Sequence, residues 1–356
     1  MHRTFVGSKP SMIVIPAFLS LLLFQLLFTV PLQAAQSDTA SRRYEQGLAL
    51  FRQGKYDAAV DALQKAIEAR AELAEAHYLL GLVYFTGKRQ PAEAIEEIKK
   101  AIKINPGFSQ AHYDLGRIYL SQGKSLEAEQ ALNRAIQLSP RSEEAHLALA
   151  KLYERDHAAN KAIEAYRALL ALYPDHPEAL YSLGQLYDSQ GNTQEAHRTL
   201  DQLTRVAPNH AGGWYLLGKI AERESNLQEA TEAYRRAVAA KPELVDAHYN
   251  LGFIYRSQGK PDEAAQQFRE VIRYKPEYAE AHMNLGVAYT SLNKLDEAER
   301  AYETAIALKP LMAEAHYNFG VFYELHRKDM IKALVHYRKY LDLGGKDERV
   351  ERIVNK

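Results

Sequence analysis

The chain has no cysteine among its 356 residues. This absence excludes a disulfide framework, a thiolate zinc site, a cysteine nucleophile and a lipid-modified N-terminal cysteine. An excess of either charge is also missing, since 45 basic residues balance 45 acidic ones. Because binding to phosphate groups needs a concentrated basic surface, nucleic acid is not expected as a partner.

Catalytic motifs are missing as well. No serine or threonine stands in a strand–turn–helix elbow, and neither a phosphate-binding loop nor a dinucleotide fingerprint occurs. The carboxylates lie on predicted helix faces at repeat spacing, where solvated or ion-paired side chains are the ordinary arrangement. The sequence therefore predicts no enzyme, no cofactor and no metal site.

A long apolar run, residues 12–30, follows Arg3 and Lys9 and precedes the segment PLQAAQS. This order is typical of a secretory signal, but the run also approaches the roughly 20 residues that span a bilayer. Residues 1–35 are therefore predicted to be a signal peptide or an uncleaved N-terminal membrane anchor. Either alternative exports the rest of the chain, to the periplasm or beyond, or to the periplasmic side of the inner membrane.

The rest of the chain is periodic. A small residue recurs at eight intervals, all of 34 residues except one of 35, at Gly47, Gly81, Gly116, Ala150, Gly184, Gly218, Gly252, Gly286 and Gly320. In most units a tyrosine follows three residues later, an alanine twelve residues later, and a proline closes the unit. Each unit carries two apolar stripes at helical spacing, which indicates a helical hairpin that completes its core against its neighbours.

This register of Leu-Gly, Tyr, Ala and Pro resembles the tetratricopeptide repeat (TPR), and the apolar N-terminal run resembles that of exported bacterial members of the family. The resemblance implies an all-α, right-handed superhelical solenoid of about nine TPR hairpins over residues 40–346, with a C-terminal cap helix at 347–356. The predicted units are 40–73, 74–108, 109–142, 143–176, 177–210, 211–244, 245–278, 279–312 and 313–346.

Six units carry histidine at the position where the family often has tryptophan: His77, His112, His146, His248, His282 and His316. Leu180 and Trp214 occupy the same position in two other units. A metal or proton-transfer site accepts neither leucine nor tryptophan. We therefore interpret these histidines as framework residues.

The resemblance implies that the first helices of the hairpins line a concave groove. Two residues before the small residue, three consecutive units present Asn250, Asn284 and Asn318 to that groove. An amide offers both a donor and an acceptor, which an extended peptide backbone requires; the alternative is that asparagine is simply the usual residue there. Further groove candidates are Tyr215, Tyr249, Tyr317, Lys219, Arg223 and Arg256, and charges paired along a helix are the alternative for the three cations.

The function predicted from these features is a non-catalytic scaffold for protein–protein interaction. It would bind a peptide or protein segment in the groove and help to assemble a cell-envelope complex. An accessory subunit of a glycosyltransferase or of a polysaccharide synthesis or export machine is the alternative. Self-association through the end units or the groove is a further alternative, and contact with a membrane is expected only through an uncleaved N-terminal segment.

Overall fold

The computed structural model describes residues 38–355, and all regular structure in that range is helical. Helix α1 covers residues 38–52 of the described chain. The helices that follow are α2 Tyr56–Ala69, α3 Ala74–Leu82, α4 Pro91–Ile104, α5 Ser109–Ser121, α6 Ser125–Leu138, α7 Glu143–Arg155, α8 Ala159–Leu172, α9 Pro177–Ser189, α10 Thr193–Val206, α11 Ala211–Arg223, α12 Leu227–Ala240, α13 Val245–Ser257, α14 Pro261–Tyr274, α15 Ala279–Ser291, α16 Leu295–Leu308, α17 Ala313–Phe322, α18 Met330–Asp342 and α19 Glu348–Val354.

The chain divides into two compact units, with the boundary between Ala165 and Tyr166. Within each unit, helices that follow one another in sequence pack together, and the core is a series of small clusters rather than one centre. Such a distribution is expected when each hairpin is half-buried until its neighbours cover it. The predicted all-α solenoid of stacked hairpins is therefore confirmed.

The row of small residues marks the closest approach of the two helices in a hairpin. A Cβ atom on Gly218 would lie 2.6 Å from the ring of Tyr234, and one on Gly252 would lie 2.9 Å from the ring of Phe268. Both rings are buried. Glycine is required at these positions because a fully packed aromatic ring occupies the space that a side chain would need.

The turn within each hairpin contains one residue with left-handed backbone geometry. Four of these residues are glycines, and Asn293 takes the same conformation with φ of 59°. Elsewhere the position is held by Arg89, His157, Ser225 and Lys328, each with φ between 55° and 60°. A left-handed residue lets the backbone leave the first helix and satisfy its last carbonyls.

Two hairpins have turns that are one residue longer than those of the others. In both, α3 and α17 continue into a π-helical turn, at Val83–Gly87 and Tyr323–Arg327 respectively. After the last hairpin, Asp347 caps the N-terminus of α19, and its carboxylate accepts hydrogen bonds from the backbone N–H groups of Arg349 and Val350. Val350 is buried in the same cluster as Phe319.

No helix in the described range is both long enough and apolar enough to cross a membrane. The predicted signal peptide or anchor, residues 1–35, lies outside the described residues. The predicted limits of the nine units and of the cap stay predictions.

Candidate functional site

The histidine row ties each first helix to the loop before it. In all six units Nε2 of the histidine lies 2.8 to 3.2 Å from the backbone carbonyl oxygen six residues earlier. Because a carbonyl oxygen only accepts, the imidazole must donate from Nε2. Trp214 makes the same bond through Nε1 to the oxygen of Pro208, at 2.7 Å. These residues therefore belong to the framework, as interpreted, and they stabilise it by a hydrogen bond to the preceding loop as well as by packing.

Leu180 cannot donate such a bond, and its unit compensates. Nε2 of Gln202, on α10, donates to the oxygen of Pro174 at 3.0 Å, and this oxygen stands six residues before Leu180. The exchange of histidine for leucine is thus compensated by a glutamine elsewhere in the hairpin, which the sequence pattern alone did not reveal.

Three of the histidines have a second partner on the helix that follows. Nδ1 of His77 lies 2.6 Å from Glu97 Oε2, Nδ1 of His248 lies 2.7 Å from Gln267 Oε1, and Nδ1 of His316 lies 3.2 Å from Nδ1 of His336. Burial, and next His316, lowers the pKa of His336 to about 4. Among the described residues no group of three or more His, Cys, Asp or Glu side chains could hold a metal ion.

Asn284 forms contacts within the protein with both ends of its amide. Nδ2 donates to the hydroxyl of Tyr249 at 3.2 Å and to the backbone oxygen of Glu280 at 2.9 Å, while Oδ1 accepts from the guanidinium of Arg256. Its side chain is buried, with 2% of its surface exposed. Of the three predicted asparagines it is therefore the least able to bind a ligand, and Arg256 is held by the same network.

Asn250 and Asn318 each keep one end of the amide free. Nδ2 of Asn250 donates to the hydroxyl of Tyr234 at 3.1 Å, and Nδ2 of Asn318 lies 3.5 Å from Sδ of Met283. The side chain of Asn250 also contacts the hydroxyl of Tyr215. No hydrogen bond to Oδ1 of Asn250 or Asn318 is found among the described residues, and both side chains are half-buried. A carbonyl oxygen of this kind can accept a hydrogen bond from the backbone N–H of an extended peptide.

The predicted tyrosines lie next to these asparagines as partly exposed aromatic surface. Tyr249 stacks on Tyr278 with ring centres 5.2 Å apart, and Tyr317 lies 5.1 Å from Tyr340. Tyr215 lies 5.8 Å from the buried ring of Tyr234. Burial raises the pKa of Tyr215, Tyr249 and Tyr317, so all three hydroxyls are neutral near pH 7.

The three predicted cations differ in their partners. Arg223 pairs with Asp188, and Arg256 donates to Asn284. Lys219 forms no ion pair in the described structure; it is exposed, and its ammonium lies 6.0 Å from the ring centre of Tyr215. Lys219 is therefore the predicted cation best placed to meet a ligand carboxylate.

The side chains two positions before the small residues, here called the polar row, connect one hairpin to the next. The sequence did not predict this connection. Tyr78, in the second hairpin, donates to Oδ2 of Asp114, in the third, at 2.7 Å. Gln110 and Arg117 donate to the same carboxylate at 3.0 and 2.8 Å. Burial, and then the charge of Asp114, raises the pKa of Tyr78. The signal was present as a spacing, because the tyrosine of one unit precedes its partner by 36 residues here and by 35 for Tyr249 and Asn284.

Models of protein families match the repeat region as far as residue 310. A model described as the C-terminal domain of cilia and flagella-associated protein 70 matches residues 26–241, more than half of the chain. A TPR repeat model matches residues 252–292, and two models described as tetratricopeptide repeat match residues 279–310 and 233–266. No curated protein sequence matches the chain.

Solved structures share the fold. A TPR repeat-containing protein from Cytophaga hutchinsonii is 16% identical, with a TM-score of 0.60, and covers 68% of this chain and 99% of its own. YrrB, described as a TPR protein with an unusual peptide-binding site, is 22% identical, with a TM-score of 0.50, and covers 55% of this chain and 99% of its own. MamA is 27% identical with a TM-score of 0.43 and covers 48% of this chain and 94% of its own.

Proposed function

We propose, from the premise that this chain belongs to the tetratricopeptide repeat family, that it is a non-catalytic scaffold that binds an extended segment of another protein. TPR proteins generally mediate protein–protein interaction. YrrB, which shares the fold, is described as having a peptide-binding site. This description supports the proposed function but does not indicate which residues of the present chain bind a peptide.

The observation that carries the proposal is the pair of unused amide oxygens on Asn250 and Asn318. They stand 68 positions apart, at the same register position of hairpins seven and nine. A peptide main chain that lies along these helices would donate its N–H groups to them. Tyr249 and Tyr317, each next to one of the asparagines in sequence, add partly exposed aromatic surface, which is common at protein interfaces.

Lys219 extends this surface into hairpin six. Because it has no ion pair in the described structure, it can pair with an acidic residue of the bound segment without losing an internal contact. An exposed ion pair of this kind contributes little affinity but orients the ligand. The proposal therefore includes a segment that carries a carboxylate near the end bound at hairpin six.

The cellular compartment and the assembly role that we propose are based on the N-terminal sequence. Residues 1–35 favour export, so the binding partner would belong to the cell envelope, and the chain would help to assemble or localise a complex there. An accessory subunit of a glycosyltransferase or of a polysaccharide synthesis or export machine is the alternative role. A catalytic chain among the captured partners, with activity lost on deletion of this protein, would favour that alternative.

Crosslinking and affinity capture from an envelope fraction test the proposal. We expect the double variant Asn250→Ala, Asn318→Ala to lose partners that the unmodified chain captures. Asn209→Ala is the matched control, because Asn209 is exposed in a loop between hairpins. If the double variant keeps the same partners at the same yield while it is as stable as the control, the amide oxygens do not bind the segment.

A further inference from the structure

Helix α18 carries exposed apolar side chains. Ile331 is 80% exposed and Val335 60% exposed, and they lie one helical turn apart on the same side of the helix. Met330, directly before Ile331, is 45% exposed. Contiguous apolar surface on a protein with many charged residues marks a site of interaction.

The other hairpins show that this surface is unusual. Ile331 and Val335 stand two residues before and two residues after the buried alanine of their helix, Ala333. At the position of Val335 the other hairpins all have a polar residue: Asp61, Glu96, Gln130, Glu164, Arg198, Glu232, Gln266 and Arg300. At the position of Ile331 only Leu126 is a large apolar residue.

A cavity lies next to the exposed residues. It has a volume of about 330 Å³, and its apolar walls are Ile306, Pro310 and Val335. Leu311, which follows Pro310 in the chain, is 71% exposed. One surface thus has both aliphatic side chains that project into solvent and a cavity that can receive an aliphatic side chain.

The same surface carries both signs of charge on neighbouring helices. Helix α16 has four carboxylates and one guanidinium, while α18 has three cations and one carboxylate. The helices are neighbours, since Nζ of Lys332 lies 3.5 Å from Oε1 of Glu299. Several of these charges have no ion pair in the described structure: Glu297 and Glu303 on α16, and Arg338 and Lys339 on α18.

We propose that this surface of α16 and α18 binds the same surface of a second copy of the chain. A two-fold contact requires a surface that is complementary to itself. Here an aliphatic side chain of each copy would fill the cavity of the other, and the cations of α18 would face the carboxylates of α16 in the second copy. The exposed carboxylates of α16 would repel an anionic membrane surface, so a second copy fits the charges better.

Sedimentation of the full chain in mild detergent over a concentration series tests the contact. We expect a reversible dimer for the unmodified chain and a monomer for the double variant Ile331→Glu, Val335→Glu. Leu126→Glu is the matched control, since Leu126 is 65% exposed at the same register position, and it should leave the dimer intact. An unmodified chain that stays monomeric overturns the proposal, and so does a double variant that dimerises as well as the control.

Charge reversal separates this contact from simple hydrophobic association. Arg338→Glu with Lys339→Glu places acidic residues opposite acidic residues and should weaken the dimer roughly tenfold. Adding Glu297→Lys and Glu303→Lys restores opposite charges and should restore the dimer. If the quadruple variant dimerises as weakly as the double variant, the proposed alignment of the helices is wrong.

A chemical crosslink gives an independent readout. The chain has no cysteine, so Val335→Cys introduces a single thiol on the proposed contact. A short bifunctional maleimide should then join two copies, while Leu126→Cys should give monomers under the same conditions. Equal yields of crosslinked dimer from the two variants would overturn the proposal.

Discussion

The two compact units use the same register positions with different chemistry. In the unit that contains α3 to α6, carboxylates hold the contacts: Glu97 faces His77, and Asp114 accepts from Tyr78 and Arg117. In the other unit neutral groups replace them. Gln267 and His336 face the histidines, and Asn284 stands at the position of Asp114.

The repeat thus determines where two side chains meet but not whether they are charged. Asp114 is 4% exposed, so its charge is stable there only while donors surround it. Asn284 needs no charged partner, although the guanidinium of Arg256 contacts it. We therefore expect the ionic contacts to be costly to break and the neutral contacts to be more tolerant.

The largest effect is expected at the buried carboxylate. Asp114→Ala leaves Tyr78, Gln110 and Arg117 without their acceptor, and we expect a loss of about 2 to 4 kcal/mol in the free energy of unfolding. Asn284→Ala should lose about 1 to 2 kcal/mol, since it leaves two neutral acceptors, the Tyr249 hydroxyl and the Glu280 carbonyl, and one guanidinium donor without their partner. Denaturant unfolding of both variants measures the difference, and equal losses would contradict the ionic–neutral distinction.

The sequence predicted the fold and the position of the polar row because both depend on periodicity. Leu-Gly, Tyr and Ala recur at about 34 residues, and the structure places the recurring glycines where the two helices of a hairpin approach closely. The bonds of Asn284 could not be predicted, because burial of its amide depends on Tyr249 and Arg256 from the preceding hairpin. Likewise, the exposure of Ile331 and Val335 could not be predicted from the sequence, because apolar residues at helical spacing ordinarily indicate a buried helix face.

The next effect concerns pH and His336, which contacts His316 in the ninth hairpin. The pKa of His336 is lowered from 6.5 to about 4 by burial, by His316 and by Lys332. Between these values the unfolded chain binds a proton that the folded chain does not, so the free energy of unfolding falls as the pH falls from 6.5 towards 4. Allowing for the partial exposure of His336, we expect a loss of about 1 to 2 kcal/mol.

His336→Gln is the matched control for that pH dependence, because it gives the ninth hairpin the His–Gln pair found at His248 and Gln267. Hydrogen exchange of α17 and α18 amides at several pH values measures local stability. The variant should lose less protection than the unmodified chain over this pH range. Identical pH profiles would show that His336 does not control the stability of this hairpin.

A smaller effect distinguishes the two tyrosines. Tyr78→Phe removes a hydroxyl that donates to a carboxylate, and such a bond contributes about 1.5 to 3 kcal/mol. Tyr249→Phe removes a hydroxyl that accepts from a neutral amide, and such a bond contributes about 0.5 to 1.5 kcal/mol. We expect the first variant to be less stable than the second by about 1 kcal/mol. Thermal unfolding of the two variants compares them, and a reversed order would mean that the charge of the partner does not determine the energy of the bond.

The smallest effect is expected where the ionic contact is shared with solvent. Glu97 meets His77 and also the ammonium of Lys100, at 2.7 Å, and Lys100 is about half exposed. Glu97→Gln turns this contact into the His–Gln pair of hairpin seven, so we expect a loss of no more than about 1 kcal/mol. The loss should shrink further in high salt, because salt screens exposed charges. A salt-independent loss in denaturant unfolding would show that the carboxylate acts through its hydrogen bond to His77 rather than through its charge.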